Sequence, residues 1–370
     1  MTMSMRKSAA LAALVVVSAS SPASARPVID CPNASTPFST RAPLIDQLLS
    51  PAAKAVINRE LPSLGKGLPP MFASTTPPTF AAILTVGELA RFQQLPTERL
   101  ALVDAMLARL PVTPADRRAR CARFDNDGVN FALPRGRRRL LLFEKINGFR
   151  DVPSVDAAHR AFVEMAARHG WSIATTQSGG AITPKNLAQF DAVIWNNVSG
   201  DVLTLGQRRA LRNYLEAGGG FVAVHGSGGD PVYFWDWYAD KLIGARFAGH
   251  PSTKQFQTAR VRIDDPADPI ARGLPLQWEA NDEWYSFKDS PRANGAHVIA
   301  TLDETSYDPV GMGGQNLRMG DHPIAWTRNV GRGRSFYSAI GHRPERYSDP
   351  IYRLMLEQAI IWASSARTRR

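Results

Sequence analysis

From Arg139 to near the C-terminus, short apolar runs alternate with amphipathic helical stretches, and this alternation constrains the fold more than any other feature of the chain. Leu140 to Glu144, Trp171 to Thr175, Asp191 to Trp195 and Phe221 to Val224 are of strand length. After the first run comes a helix whose Val155, Ala158, Phe162, Met165 and Ala166 share one face. Thr204-Leu205-Gly206-Gln207 has the form of a capping box, opening a helix that stops at Gly218-Gly219-Gly220. Strands joined by helices need right-handed crossovers, which build a mainly parallel α/β sheet covered on both faces. Ala259 to Ile263, His297 to Leu302, Ile324 to Thr327 and Ser335 to Ile340 add strands with hairpin-like connections, and Tyr352 to Trp362 forms a closing amphipathic helix.

The preceding region reads differently. Leu44 to Leu49, Ala52 to Leu61 and Arg99 to Leu110 have helical spacing, Thr85-Val86-Gly87-Glu88 is another capping-box form, and Pro62, Pro69, Pro70, Pro77 and Pro78 break the segment into short pieces. A small helical cap or partner domain is expected over about 40–125, with no chemistry legible in it. Ahead of it, residues 1–25 have a basic start at Arg6 and Lys7, an apolar stretch from Ala9 to Val17, and Ala23-Ser24-Ala25. This is the grammar of a secretory signal cleaved after Ala25. The apolar stretch is short for a membrane span, and no later segment approaches about 18 uninterrupted apolar residues. The expected organisation is a signal peptide (1–25), a helical domain (26–135) and an α/β domain (136–366), with a secreted or periplasmic location. That compartment favours a bridge between the only two cysteines, Cys31 and Cys121, over two separate buried thiols.

Composition removes several functions. Two cysteines exclude a Cys-rich zinc module. The net charge of +11 comes largely from scattered arginines without a reading helix or an aromatic-interleaved stripe, so no nucleic-acid partner is expected. No Gly-x-Gly-x-x-Gly follows the first strand, which argues against nicotinamide chemistry.

In parallel sheets ligands bind beyond the carboxyl ends of the strands. That rule selects Asn147 to Asp151, Asn196 to Asp201 and His225 to Asp230. The series Phe143-Glu144-Lys145, Gly148-Phe149-Arg150, Gly200-Asp201-Val202-Leu203, Gly218-Gly219-Gly220-Phe221 through His225, Gly249-His250-Pro251, Asp282-Glu283-Trp284-Tyr285, Asp321-His322-Pro323 and Gly341-His342 resembles the trehalose-utilisation (ThuA-like) domain, in order, over roughly Arg139 to Ala363. The resemblance implies a class I glutamine amidotransferase-like fold, which is flavodoxin-like, and a role in breakdown of trehalose and related glycosides, including keto-sugars. Two departures matter. Asp151 stands where family members often carry His after Gly-Phe-Arg. Val224-His225-Gly226-Ser227 stands where amidotransferases place a nucleophilic Cys, so amidotransferase chemistry is excluded.

His225 ends an apolar strand at the ligand edge, where a neutral imidazole serves as a general base or metal ligand near pH 7. Strand alternation over Asp282 to Tyr285 sends only one acid into the site, and Glu283, with Tyr285 beside it, is the expected one. A carboxylate with aromatics suits a sugar. The expected set is therefore His225 and Glu283 as catalytic residues, with Phe149, Asn197, His250, Tyr285 and His342 binding a small-molecule carbohydrate. The expected chemistry is acid/base, of hydrolase or isomerase type. The alternatives are a sugar-binding or interaction module without catalysis, and a serine hydrolase using Ser227 in His225-Gly226-Ser227-Gly228-Gly229. His225, His250, His342 and Glu283 would also supply ligands for zinc or another divalent metal. Their dispersal over separate segments, without His-x-x-x-His or His-Glu-x-x-His spacing, favours a site without metal or other cofactor. Oligomeric state is left open.

Overall fold

The structure is a computed structural model that describes residues 28–64, 66, 68–133 and 138–366. The expected signal segment and its cleavage point after Ala25 lie outside the described residues. No helix among the described residues is long and apolar enough to cross a membrane.

The first part of the chain forms α1 (Leu44–Leu48), α2 (Pro51–Glu60), α3 (Val86–Phe92), α4 (Thr97–Ala108) and α5 (Pro114–Cys121). Ser50, Thr85 and Thr113 each accept a hydrogen bond from a first-turn N–H and so start α2, α3 and α5. The apolar faces meet in a core that includes Phe38, Ile45, Val56, Val86, Leu89, Val103 and Leu107. Cys31 and Cys121 are joined by a disulfide. The buried Arg120 reinforces the staple by donating to the Asn33 and Thr36 carbonyls at 2.8 and 2.6 Å.

The α/β part comprises β1 (Arg139–Phe143), α6 (Val152–His169), β2 (Ser172–Thr176), α7 (Pro184–Leu187), β3 (Ala192–Asn196), α8 (Leu205–Glu216), β4 (Gly220–Val224), β5 (Phe247–Gly249), β6 (Phe256–Ile263), β7 (Gln277–Glu283), β8 (Ser286–Phe287), β9 (His297–Asp303), β10 (Pro323–Val330), β11 (Gly333–Ser338) and α9 (Pro350–Ser364). Among the described residues the main sheet has nine strands in the order β2-β1-β3-β4-β11-β10-β9-β6-β7, and β5 pairs separately with β8. The half from β2 to β11 is parallel and the half from β11 to β7 antiparallel. A Cβ on Gly220 would lie 2.7 Å from the Ala363 carbonyl of α9, and one on Gly219 would strike the Tyr214 ring of α8. Two helices thus close on the start of β4, which requires glycine there.

The expected capping box at Thr204 and Gln207 is present in both directions, and Asp151 caps α6 by accepting from the Ser154 N–H. One expectation fails: the strand ends at Glu283, and Trp284 and Tyr285 lead from β7 into β8. Asp282 and Glu283, the last two residues of the strand, are both buried.

The segment after α5 latches the helical unit to the sheet. Asp125 accepts from Lys145 Nζ at 2.6 Å, Ser178 Oγ at 2.6 Å and the N–H groups of Gly179 and Gly180 at 3.0 and 2.8 Å. Burial works to raise its carboxyl, but Lys145, Ser178 and the backbone donors outweigh that and hold it below the ordinary value. A carboxyl lowered on folding contributes stability that is present above its unfolded value, near pH ~4, and is lost as pH falls through the folded value. Asp125→Asn is expected to cost about 2 kcal/mol at neutral pH and to flatten the acid limb of stability. Urea unfolding at a series of pH values checks this, and an unchanged acid slope would discount the latch.

Candidate active site

Parallel pairing of β4 with β11, Val224 against Ser338, ends both strands at one edge of the sheet. His225 follows β4 with φ +34°, a conformation that costs a side-chain-bearing residue energy. Several groups hold it there. Its Nδ1–H donates to the Ala339 carbonyl at 2.7 Å, its own carbonyl accepts from Tyr337 Oη at 2.8 Å, and Tyr285 stacks on its ring at 4.2 Å. The Ala339 bond leaves Nε2 as the lone-pair nitrogen of the neutral ring.

His342 comes from the loop after β11 and is set by Asp282, whose carboxylate accepts from the Gly341 and Arg343 N–H groups at 2.6 and 2.9 Å. Gly341, at φ +128°, adopts a backbone that the loop needs and that glycine tolerates. Burial raises the Asp282 carboxyl, against the nearby His225 and these backbone donors.

Between the two imidazoles lies Glu283. Its Oε2 is 3.0 Å from His342 Nδ1 and 3.3 Å from His225 Nε2, and the two nitrogens are 3.2 Å apart. Its Oε1 accepts from Gln255 Nε2 at 2.6 Å and lies 3.3 Å from His250 Nδ1. Burial favours protonation of Glu283, yet His225 and His342 hold its carboxyl well below the usual range. For His342 burial disfavours charge, and the hydrogen bond and charge of Glu283 lift it above the ordinary imidazole value. The cluster reaches solvent through His342 and His250, whose side chains are 11% and 34% exposed. Phe149 and Phe256 flank the His342 ring at 6.1 and 5.1 Å.

The helical unit borders this edge. Phe80 packs on Phe149 at 5.2 Å, Thr79 N–H donates to the Asn147 carbonyl at 3.0 Å, and a Cβ on Gly148 would collide with Ser199 Oγ and Ile83.

The structure thus brings His225, Glu283, His342, His250 and Phe149 together. Tyr285 is buried behind His225 as a wall. Asn197 uses its amide on the loop, accepting from Gly226 N–H at 3.0 Å and donating to Asn196 and Tyr347 at 3.0 and 3.2 Å. Ser227 is buried, donating to the Trp195 carbonyl and accepting from Val198 N–H, so the structure gives the serine-hydrolase alternative no base partner. Gln255, in a loop without motif, carries no sequence signal, and Asp282 was set aside in favour of Glu283.

The other histidines pair elsewhere: His159 with Glu144, His169 with Glu357, His297 with Asp268, and the buried His322 with Glu304. Behind the β3 loop a cavity of about 30 Å³ is lined by Trp195, Arg208, Asp230, Tyr233 and Tyr238. It is too small for a sugar. Burial pushes the Asp230 carboxyl up to about 7 despite donors from Ser199 and Gly200.

Donor atoms with the spacing of metal ligands occur in two groups among the described residues: His225, Glu283 and His342, all buried, and the more exposed Asp265, Asp268 and His297. The ends of β4, β7 and β11 deliver the first group, from three separate segments, to one point.

The model of the trehalose-utilisation family, ThuA, matches residues 139–363, from the first residue of β1 into α9 and across the whole cluster. The chain belongs to the ThuA family. A protein described as ThuA-like from Bacteroides uniformis ATCC 8492 has 26% identity and a TM-score of 0.54, over 64% of this chain and 94% of its own. Another ThuA-like protein, from Parabacteroides merdae ATCC 43184, has 15% identity and a TM-score of 0.46, over 63% and 92%. No curated protein matches the chain. The helical unit before Arg139 lies outside the ThuA match.

Proposed function

We propose that this ThuA protein is an exported carbohydrate-processing enzyme, secreted or periplasmic, that performs acid/base chemistry on a glycoside or keto-sugar at the His225–Glu283–His342 cluster. The observation that carries the reading is a buried carboxylate shared by two imidazoles at the ligand edge. His225, with Nδ1–H fixed on Ala339, presents Nε2 to accept a proton from a sugar hydroxyl or from a carbon beside a ketone. His342, raised by Glu283, holds a proton to return. Phe149 and Phe256 offer apolar faces to the CH side of a ring, and the half-exposed His250 is placed to bind hydroxyls. The family's association with trehalose use supports a carbohydrate as substrate.

A sugar-binding module without turnover is the second reading, favoured by the fact that both Glu283 oxygens already have partners.

The test is a panel of glucosides, glucose disaccharides and their 3-keto derivatives, followed by NMR for turnover and by calorimetry for binding. Turnover of at least one compound, kept within a few-fold in Ser227→Ala and accompanied by no fluorophosphonate labelling, is expected. Binding without turnover would support the module. Neither binding nor turnover would remove the carbohydrate reading, and labelling of Ser227 would restore the serine hydrolase.

A further inference from the structure

His225 Nε2, His342 Nδ1 and Glu283 Oε2 stand 3.0 to 3.3 Å from one another. With His225 Nδ1–H committed to Ala339, neutral rings leave a single hydrogen, on His342 Nδ1, to serve both the His225 nitrogen and the Glu283 oxygen. The His225 nitrogen and Glu283 Oε2, 3.3 Å apart, then face each other lone pair to lone pair in a buried place. A positive charge at its centre, either a metal ion or a second proton on His225 Nε2, relieves that repulsion. A point about 0.9 Å above the plane of the three atoms is about 2.05 Å from each, the bond length of zinc to imidazole nitrogen and carboxylate oxygen.

We propose that His225, His342 and Glu283 are the protein ligands of a divalent transition metal, with zinc as the ion, and with the side away from the three donors open to a sugar oxygen. Two imidazoles and a carboxylate with an open position form a catalytic zinc set, whereas magnesium and calcium take oxygen ligands. The surroundings are those of a held ligand set. His225 donates its other nitrogen to a backbone carbonyl, Gln255 fixes the free oxygen of Glu283, and Asp282 grips the backbone on both sides of His342. The Asp265–Asp268–His297 group is more exposed.

The inference deepens the carbohydrate reading and rests on it for the chemistry, not for the binding. With an ion in place the two imidazoles are ligands, and polarisation of a sugar oxygen by the cation takes over the work assigned above to proton transfer by His225.

The test uses the untagged full chain, stripped with a chelator and titrated with zinc chloride by calorimetry and elemental analysis. One zinc per chain is expected. Affinity should fall at least about 100-fold in His225→Ala and in the near-isosteric Glu283→Gln, and about 10- to 100-fold in Gln255→Ala. His297→Ala should leave it unchanged. Cobalt chloride added to the stripped wild-type chain should produce visible d–d absorption, a readout that depends on no variant folding. Absence of these bands, zinc no higher than in His225→Ala, or a loss confined to His297→Ala would overturn the proposal. Zinc bound at the cluster with neither binding nor turnover of any sugar would uphold the metal site and remove the carbohydrate reading. Sugar turnover by the zinc-free chain would uphold the carbohydrate reading and overturn the cation's part in the chemistry.

Discussion

Glycine at His225 abolishes most turnover of the accepted carbohydrate, by about 10²-fold or more, while the stability of the α/β domain stays within about 1 kcal/mol of the parent. The two halves of this expectation come from one observation. His225 has φ +34°, so glycine relieves backbone strain worth about 1 kcal/mol or more, which offsets loss of the Ala339 hydrogen bond, worth about as much. A histidine kept for structure would show the opposite balance, with folding and activity failing together. Glu283→Gln is expected to lower turnover by a similar factor, since it keeps the shape but removes the charge between the imidazoles. Steady-state kinetics and urea unfolding of the same preparations decide the matter. Parallel losses of activity and stability in both variants would assign the cluster to folding.

Reduction of the Cys31–Cys121 bond has the second large effect. The cysteines are 90 residues apart, and the chain-entropy model gives a loop of that length up to about 4 to 5 kcal/mol. Most of that loss falls on the helical unit, whose small core includes Phe38, Ile45 and Val103, because a small domain buries too little apolar surface to absorb it. All 8 tryptophans lie at or beyond Trp171, so their fluorescence reports the α/β domain, while far-ultraviolet circular dichroism reports both parts. Cys31→Ser/Cys121→Ser should show helical signal lost at lower urea than the fluorescence change. Turnover should fall with it, because Phe80 and Ile83 of the helical unit pack against Phe149 and Gly148 at the site. Coincident, unshifted transitions would show that the bridge contributes little.

Local features were legible because their causes are local. The runs at Leu140, Asp191 and Phe221 announce buried strands by continuous apolarity, and Thr85 and Thr204 announce helix starts because a cap and its target N–H are three residues apart. β7 was poorly legible. Its sequence, Gln277 to Glu283, is an edge strand with one wet face, and polar residues there resemble a loop. The partners of Asn197 and Tyr285 were hidden for a related reason: position at the ligand edge was visible, but Gly226 and His225, which meet their amide and ring, follow another strand.

The sequence by itself determined the α/β class, the order of the parallel strands' elements and the placing of His225 at a strand's carboxyl end, since short-range periodicity and capping settle all three. Only the tertiary structure decided that Glu283 and His342 meet it. Residues 225, 283 and 342 share no helix turn or hairpin, and their distance is set by the pairing of β4 with β11 and by the two backbone bonds of Asp282. Pairing of that kind is a property of the whole sheet, in which the closure of distant strands is favoured by the core they bury together, and no local pattern along the chain records it.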